Sequence, residues 1–155
     1  MSFQIHPLPY SSFAGYFTLD TQQLLERNAC LEIVQENPGT PCRVSLEDAK
    51  VGETVLLVNY KHLPEISPYQ SSHAIFVRKG AKQYTPAVNE VPQVLSSRLI
   101  SVRAFDEQHF MVEADVVEGT VLGETIDAIF EIGHISYIHL HNAKPGCFAA
   151  KVTRA

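Results

Sequence analysis

Residues 135–154 read ISYIHLHNAKPGCFAAKVTR, the segment from which the sheet and its most reactive face can be predicted. The turn-forming segment 142–146 separates two runs of aromatic, β-branched and small apolar residues, which is the pattern of a β-hairpin. Side chains alternate across a strand, so one face of this hairpin is apolar. We therefore predict strands at about 135–141 and 147–153, with a core face formed by Ile138, Leu140, Phe148, Ala150 and Val152.

The opposite face of the hairpin carries the densest set of reactive side chains in the sequence. A simple hairpin places His141 opposite Cys147 and His139 opposite Ala149. Two histidines at i and i+2 of a strand point the same way, with Cα atoms about 6.6 Å apart. His139, His141 and Cys147 are therefore candidate metal ligands, although no fourth ligand is identifiable. Cys147 with His139 is also a candidate thiolate–imidazole pair, while the simpler interpretation is the solvated face of an antiparallel sheet.

Outward from the hairpin, strands alternate with short helices. Apolar residues at helical spacing predict a main helix over about 121–132, with Thr120 as its cap and Gly133 as its stop. Asp20 predicts the cap of a short N-terminal helix over about 21–28. We predict an α+β fold in a single domain, 1–155, with a mostly antiparallel sheet or open barrel of about seven strands. The other strands are expected at about 3–5, 30–34, 53–60, 73–78, 99–105 and 110–117.

Composition excludes several classes of protein. The 155 residues are 45% hydrophobic and 19% charged, which excludes an intrinsically disordered chain. A net charge of −5 argues against a nucleic-acid-binding module, because such modules need a basic face. The sequence shows neither a secretory signal nor an apolar membrane span, so we expect a cytoplasmic protein without a membrane partner. In that compartment its three cysteines are expected to be free thiols.

Polar residues elsewhere add candidate sites. Arg103 shares a strand face with apolar residues and should find a carboxylate, either within the fold or on a ligand; an internal ion pair is the simpler interpretation. Cys42 precedes a predicted helix cap, where a thiol can be acidified. Ser67 and Tyr69 lie in a long loop, where functional groups concentrate. No glycine-rich phosphate loop is present, and no motif indicates a cofactor.

Several short motifs taken in order resemble a known family. They are Pro41-Cys42-Arg43, Ser67-Pro68-Tyr69, Arg103-Ala104-Phe105-Asp106, Asn142-Ala143 and Gly146-Cys147. Their order and spacing, from about residue 41 to the C-terminus, resemble the small bacterial proteins grouped as domain of unknown function 1203. The resemblance implies a single-domain bacterial protein and supplies no activity. If the family shares a site, its members would be the matching positions Cys42, Arg43, Ser67, Tyr69, Arg103, Asn142 and Cys147; this chain departs from the family pattern at His141, where an arginine is usual.

These observations lead to one main hypothesis and three alternatives. The main hypothesis is a small-molecule binding domain that takes an anionic ligand. Its ligand-binding residues would be Arg43, Ser67, Tyr69, Arg103 and Asn142. The alternatives are a cysteine-dependent enzyme using Cys42 or Cys147 with a histidine base, the metal site, and a structural or interaction protein acting as a homodimer.

Overall fold

Two antiparallel sheets hold the strands of this protein, whose computed structural model describes residues 2–155. The strands are β1 Phe3–His6, β2 Ala29–Ile33, β3 Thr54–Leu63, β4 Ser71–Arg78, β5 Leu99–Phe105, β6 Met111–Glu118, β7 Tyr137–Asn142 and β8 Phe148–Arg154. The helices are α1 Thr21–Glu26, α2 Gln93–Ser96 and α3 Leu122–Phe130, with short 3-10 helices at Tyr10–Ser12, Ala14–Thr18 and Gly119–Val121. The predicted α+β class is confirmed, with eight strands among the described residues and no closed barrel.

The chain folds into two compact units, each assembled from separate stretches of sequence. Unit 1 comprises residues 2–6, Lys61–His73 and Thr85–Ala155, and unit 2 comprises Pro7–Tyr60 and Ala74–Tyr84. That residues 1–155 fold and unfold as one domain stays a prediction.

The five-stranded sheet belongs to unit 1 and has the order β1-β8-β7-β5-β6. Its apolar face is the one predicted from the hairpin, with Ile138, Leu140, Ala150 and Val152 all buried. Helix α3 packs on this face, where its Gly123 lies against the Phe3 ring. The amphipathic stripe of α3 is buried as predicted, at Leu122, Ile126, Ile129 and Phe130.

The register of the β7–β8 hairpin differs from the prediction. His139 pairs with Lys151 and Leu140 with Ala150, but His141 pairs with Phe148 because the register shifts between Leu140 and His141. A bulge of this kind adds one residue to one strand and reverses the facing of the residues beyond it. Phe148 therefore leaves the predicted core face, and the predicted pairing of His141 with Cys147 is wrong.

Both ends of α3 differ from what the local sequence predicts. Its N-cap is Val121, which makes no side-chain cap, so the prediction of Thr120 as the cap is wrong. At the other end Arg154 of β8 donates to the carbonyl oxygens of Phe130, Ile132 and Ile135. The last carbonyls of a helix lack intrahelical partners and lie at the negative end of its dipole, so this guanidinium stabilises the terminus.

Unit 2 contains α1 and most of a sheet of order β2-β3-β4. Helix α1 begins as predicted: the Asp20 carboxylate accepts from the Gln23 N–H, and the Gln23 side chain accepts from the Asp20 N–H. This reciprocal pair is a capping box. The core of unit 2 is apolar and includes Phe13, Leu24, Val44, Leu56, Val58, Ile75 and Val77.

Candidate functional site

The face of the five-stranded sheet opposite α3 carries a set of basic and aromatic side chains, which we call the histidine face. Its position follows from alternation along the strands, because residues two apart share a face. Across β5 and β7, Arg103 pairs with His139 and Ser101 with His141, and across β7 and β8 His139 pairs with Lys151. The histidine face comprises Ser101, Arg103 and Phe105 of β5, Tyr137, His139 and His141 of β7, and Phe148 and Lys151 of β8.

Three imidazoles cluster on the histidine face. The ring of His62, near the end of β3, lies 4.8 Å from that of His141 and 5.9 Å from that of His139, measured between centroids. His62 also stacks on Phe148, with centroids 5.3 Å apart and planes 8° from parallel. The register shift that turns Phe148 onto this face therefore supplies the surface on which the third histidine rests.

Hydrogen bonds fix two rings of the cluster. Nδ1 of His141 donates to the carbonyl oxygen of Gly146 at 3.0 Å. Nε2 of His62 and Oγ of Ser71 are 2.9 Å apart. His139 differs, because its Nδ1 is buried without a hydrogen-bond partner among the described residues.

Burial keeps the histidines of β7 neutral. Desolvation, with smaller contributions from His141, His62, Lys151 and Arg103, lowers the pKa of His139 to about 3. Desolvation also lowers the pKa of His141 to about 3, helped by nearby Arg103 and partly opposed by the bond to Gly146. Lys151 and Arg103 are the permanent charges that act on these rings, whereas the carboxylates of Glu65 and Asp106 act on Tyr137 of the same face and add to the burial that raises its pKa.

Arg103 lies beside the cluster without a carboxylate. Its Nε donates to Oγ of Ser101 at 3.1 Å, and burial lowers the pKa of the guanidinium. Arg103 forms no ion pair with residues 2–155, so the internal ion pair expected from the sequence is absent there. Lys151 is exposed and holds its Nζ 4.6 Å from the centroid of the Tyr137 ring.

Cys147 and Asn142 do not belong to the histidine face. Asn142 pairs with Ile100 of the apolar face, and its Nδ2 donates to Sγ of Cys147 at 3.6 Å. Both residues are buried, and Oδ1 of Asn142 has no hydrogen-bond partner among residues 2–155. The register thus removes Cys147 from the metal set predicted with His139 and His141. Within the described part of the chain, no three histidine, cysteine or carboxylate side chains are placed to hold a metal ion.

The candidates of unit 2 are buried within the fold. Cys42 is 1% exposed, and its Sγ accepts from the backbone N–H groups of Ser45 and Arg78 at 3.5 and 3.3 Å. Arg43 is 2% exposed, and its guanidinium donates to the carbonyl oxygen of Pro41. All seven histidines lie outside the sequence ranges of unit 2, so that unit contains no histidine base for Cys42.

Ser67 and Tyr69 belong to unit 1 and lie at one end of the histidine face. Oγ of Ser67 donates to the carbonyl oxygen of His109 at 2.7 Å and accepts from the Tyr69 N–H at 3.1 Å. The Tyr69 ring meets the rings of Phe105 and Phe110 edge-on, with centroids 6.2 and 5.9 Å apart. The loop is thereby fastened to the segment between β5 and β6.

A polar cleft of about 480 Å³ opens in unit 1 beside the turn between β5 and β6. Two of its charged groups are already engaged, because Arg154 bonds to helix carbonyls and Oδ1 of Asp106 accepts from the N–H groups of Gln108 and Phe110. The cleft therefore offers an anionic ligand no cation as lightly engaged as Arg103, whose guanidinium bonds, among the described residues, only to Ser101 Oγ. It is lined by Asp106, Glu107, Gln108, Gly133, His134, Ile135, Ser136 and Arg154.

Comparison with known proteins confirms the family suggested by the short motifs. The family described as a protein of unknown function, DUF1203, matches residues 39–154. The chain therefore belongs to this family, and the match includes every member of the histidine face. No curated protein and no solved structure matches the chain. No helix within residues 2–155 has the length and apolarity to cross a membrane.

Proposed function

We propose that this protein binds a small anionic ligand on the histidine face, through Arg103 and Lys151. The observation that carries the proposal is a half-buried guanidinium whose bond within the fold is to a hydroxyl group, Ser101 Oγ, rather than to a carboxylate. Arginines in such positions usually meet a carboxylate, because partial burial of an unpaired charge is unfavourable. A carboxylate or phosphate from solution would supply the missing partner and could engage the guanidinium through two hydrogen bonds.

The strand order places the proposed ligand groups in one row. Lys151, His139 and Arg103 lie opposite one another on β8, β7 and β5. Neighbouring strands are about 4.8 Å apart, so the two cationic residues are separated by a Cα distance near 10 Å, within reach of their long side chains. Nδ1 of His139, buried without a partner among residues 2–155, adds a polar atom to the middle of the row. The neutral imidazole between the two cations carries no negative charge that would compete with a ligand.

The proposal uses part of the residue set predicted from the sequence. Arg103 is the anchor, and Ser67 and Tyr69 border the site. Arg43 is left out because it is 2% exposed, and Asn142 because it lies on the opposite face of the sheet. Lys151 and His139 are added to the proposed ligand-binding residues because the strand register puts them in one row with Arg103.

Two other hypotheses stay predictions. A cysteine-dependent enzyme would need a reactive thiol at Cys42 or Cys147, and both side chains are buried. A homodimer would show a doubled molar mass by size-exclusion chromatography with light scattering. The cytoplasmic location and the bacterial origin also stay predictions.

Binding of simple anions tests the proposal. Acetate and inorganic phosphate, each at about 10 mM and at constant ionic strength set with NaCl, are compared by thermal unfolding. A Kd near 1 mM would stabilise the native state by about 1.4 kcal/mol, which is a rise in Tm of about 4 °C for a chain of this size. Arg103→Gln should abolish the rise for the anion that produces it, while Arg27→Gln, at an exposed arginine of unit 2, should retain it. The proposal is wrong if neither anion raises Tm, or if Arg103→Gln shows the same rise as the native protein.

A further inference from the structure

We infer that the anion bound at Arg103 is aromatic, a flat ring carrying an acidic group, and that Tyr69 and Phe110 bind the ring. This inference rests on the function proposed above and names the chemical class of its ligand. It follows from a set of aromatic side chains that adjoins the cationic row on the same face. The set, which we call the aromatic corner, consists of Tyr69, Phe105, Phe110 and Tyr137.

The aromatic corner begins two residues from the anchor. Phe105 follows Arg103 at i+2 on β5, so the two side chains share a face with Cα atoms about 6.6 Å apart. Phe105 pairs with Tyr137, just as Arg103 pairs with His139 in the neighbouring row. The centroids of the Phe105 and His139 rings are 5.2 Å apart, which joins the aromatic corner to the row of basic residues.

Two rings of the corner are buried and two are open to solvent. Phe105 and Tyr137 stack with centroids 5.2 Å apart and planes 12° from parallel, and they are only 2% and 6% exposed. Tyr69 and Phe110 stand edge-on at 74° to each other and are 37% and 44% exposed. The two stacked, buried rings and the two exposed rings beside them can accommodate a further ring in offset or edge-to-face contact.

The exposed rings are held in place by hydrogen bonds of the surrounding loops. Ser67 Oγ fastens the Tyr69 loop to the His109 carbonyl at 2.7 Å, and the Phe110 N–H donates to Oδ1 of Asp106 at 3.0 Å. Nδ1 of His109 lies 2.8 Å from the Tyr137 hydroxyl, which ties the same turn to β7. Aromatic side chains held in position in advance lose little conformational freedom when a ligand binds.

Charge and apolar surface therefore meet at one place. Lys151 holds its ammonium group 4.6 Å from the centroid of the Tyr137 ring, so a cation borders the aromatic corner, where it faces the opposing charges of Glu65 and Asp106. An aliphatic anion would occupy Arg103 and leave the exposed rings in water. An aromatic anion would contact Arg103 with its acidic group and the exposed rings with its own ring. Because it matches both the charge and the apolar surface, it is the favoured ligand.

A pair of carboxylates that differ in their apolar part tests the inference. Acetate and benzoate are titrated into ¹⁵N-labelled protein, and Kd values are taken from the backbone shifts of β5. Benzoate should bind at least about 10-fold more tightly than acetate, since offset or edge contacts between rings and the accompanying apolar burial both favour it. Tyr69→Leu should remove most of this difference, measured as the ratio of the acetate and benzoate Kd values within the variant. Tyr69→Phe, which keeps the ring, should preserve it, and Tyr84→Leu, at an exposed tyrosine of unit 2, should have no effect.

The outcomes separate this inference from the proposed function. If acetate binds through Arg103 but benzoate binds no more tightly, the aromatic ligand is refuted and the anion site stands. If benzoate binds equally well to Arg103→Gln, ring and charge do not share a site, and the inference fails. A Tyr69→Leu variant whose molar mass in light scattering differs from that of the native protein would show that the corner contacts a second copy, which would also overturn it.

Discussion

Acid should destabilise this protein through His139 and His141, well above the pH at which carboxylates are protonated. Both imidazoles are neutral in the folded state because burial lowers their pKa to about 3, against 6.5 for an unperturbed histidine. The unfolded chain therefore binds more protons than the folded chain between these two values. Stability is complete above about pH 6.5 and falls as the pH decreases from there toward 3.

The magnitude follows from the difference in pKa. At pH 5 each histidine lowers the free energy of unfolding by about 2 kcal/mol, and the pair by about 4 kcal/mol. Between about pH 5.5 and 4, these two histidines together make the free energy of unfolding change by nearly 2.7 kcal/mol per pH unit, which corresponds to two protons. Domains are typically stable by about 5–15 kcal/mol, so this loss is a large fraction of the total.

Urea unfolding at pH 8, 7, 6, 5.5 and 5 measures this dependence. His139→Gln should remove about half of the slope whatever its own effect on stability at pH 8, because the slope counts protons. His134→Gln, at an exposed histidine outside the cluster, should leave the slope unchanged. A free energy of unfolding that stays constant from pH 7 to 5, or a slope that His139→Gln does not alter, would refute the reasoning.

Three further predictions concern packing, capping and thiol access. Gly119→Ala should severely destabilise the fold, because a Cβ would overlap backbone atoms of α2 and of the residues that follow it. Gly133→Ala should be tolerated, because a Cβ there meets no atom within 4 Å. Thermal unfolding compares the two variants, and equal Tm values would contradict the prediction. Asp20→Ala removes the cap of α1 and should cost about 1 kcal/mol in urea unfolding, with no measurable loss counting against a role for the capping box. Cys42 and Cys147 are 1% and 6% exposed, so iodoacetamide should modify them only as fast as the fold opens, and rapid labelling at pH 7 without denaturant would show the opposite.

Local patterns predicted the elements whose residues are close in sequence. The stripe of α3, the Asp20 cap and the apolar face at Ile138 and Leu140 all follow from spacings of a few residues. These spacings are properties of one helix or one strand, so tertiary context changes them little. The family motifs likewise lie within short segments, and the matched range 39–154 agrees with the range inferred from them.

The candidate site could be predicted only in part, because its geometry depends on a single inserted residue. Without the bulge, Cys147 would face His141 and Phe148 would enter the core; with it, Phe148 faces His141. Sequence alone does not reveal whether a five-residue connection closes with or without such a shift. His62 also joins the cluster through a tertiary contact. The sequence predicts that this strand ends at Tyr60, whereas β3 continues to Leu63 and so includes His62. Extending the alternation of that strand would have placed a histidine at its end.

The partner of Arg103 could not be predicted because the sequence does not give the order of the strands. The sequence indicated that an arginine on an apolar strand needs an acidic partner, and the inference that the partner lay within the chain was the simpler one. The order of the strands determines which residues lie beside Arg103. Its neighbours on β5 and β7 are the Ser101 hydroxyl and His139 rather than a carboxylate.

The distribution of histidines gives this protein a built-in spectroscopic label. All seven lie in the sequence ranges of unit 1, whereas four of the six tyrosines, Tyr10, Tyr16, Tyr60 and Tyr84, lie in unit 2. Imidazole Hε1 resonances therefore report on unit 1 alone, and the ring resonances of those four tyrosines report on unit 2. Followed together through an acid titration, the two sets of signals measure directly whether protonation of the histidine face melts the whole chain in one step.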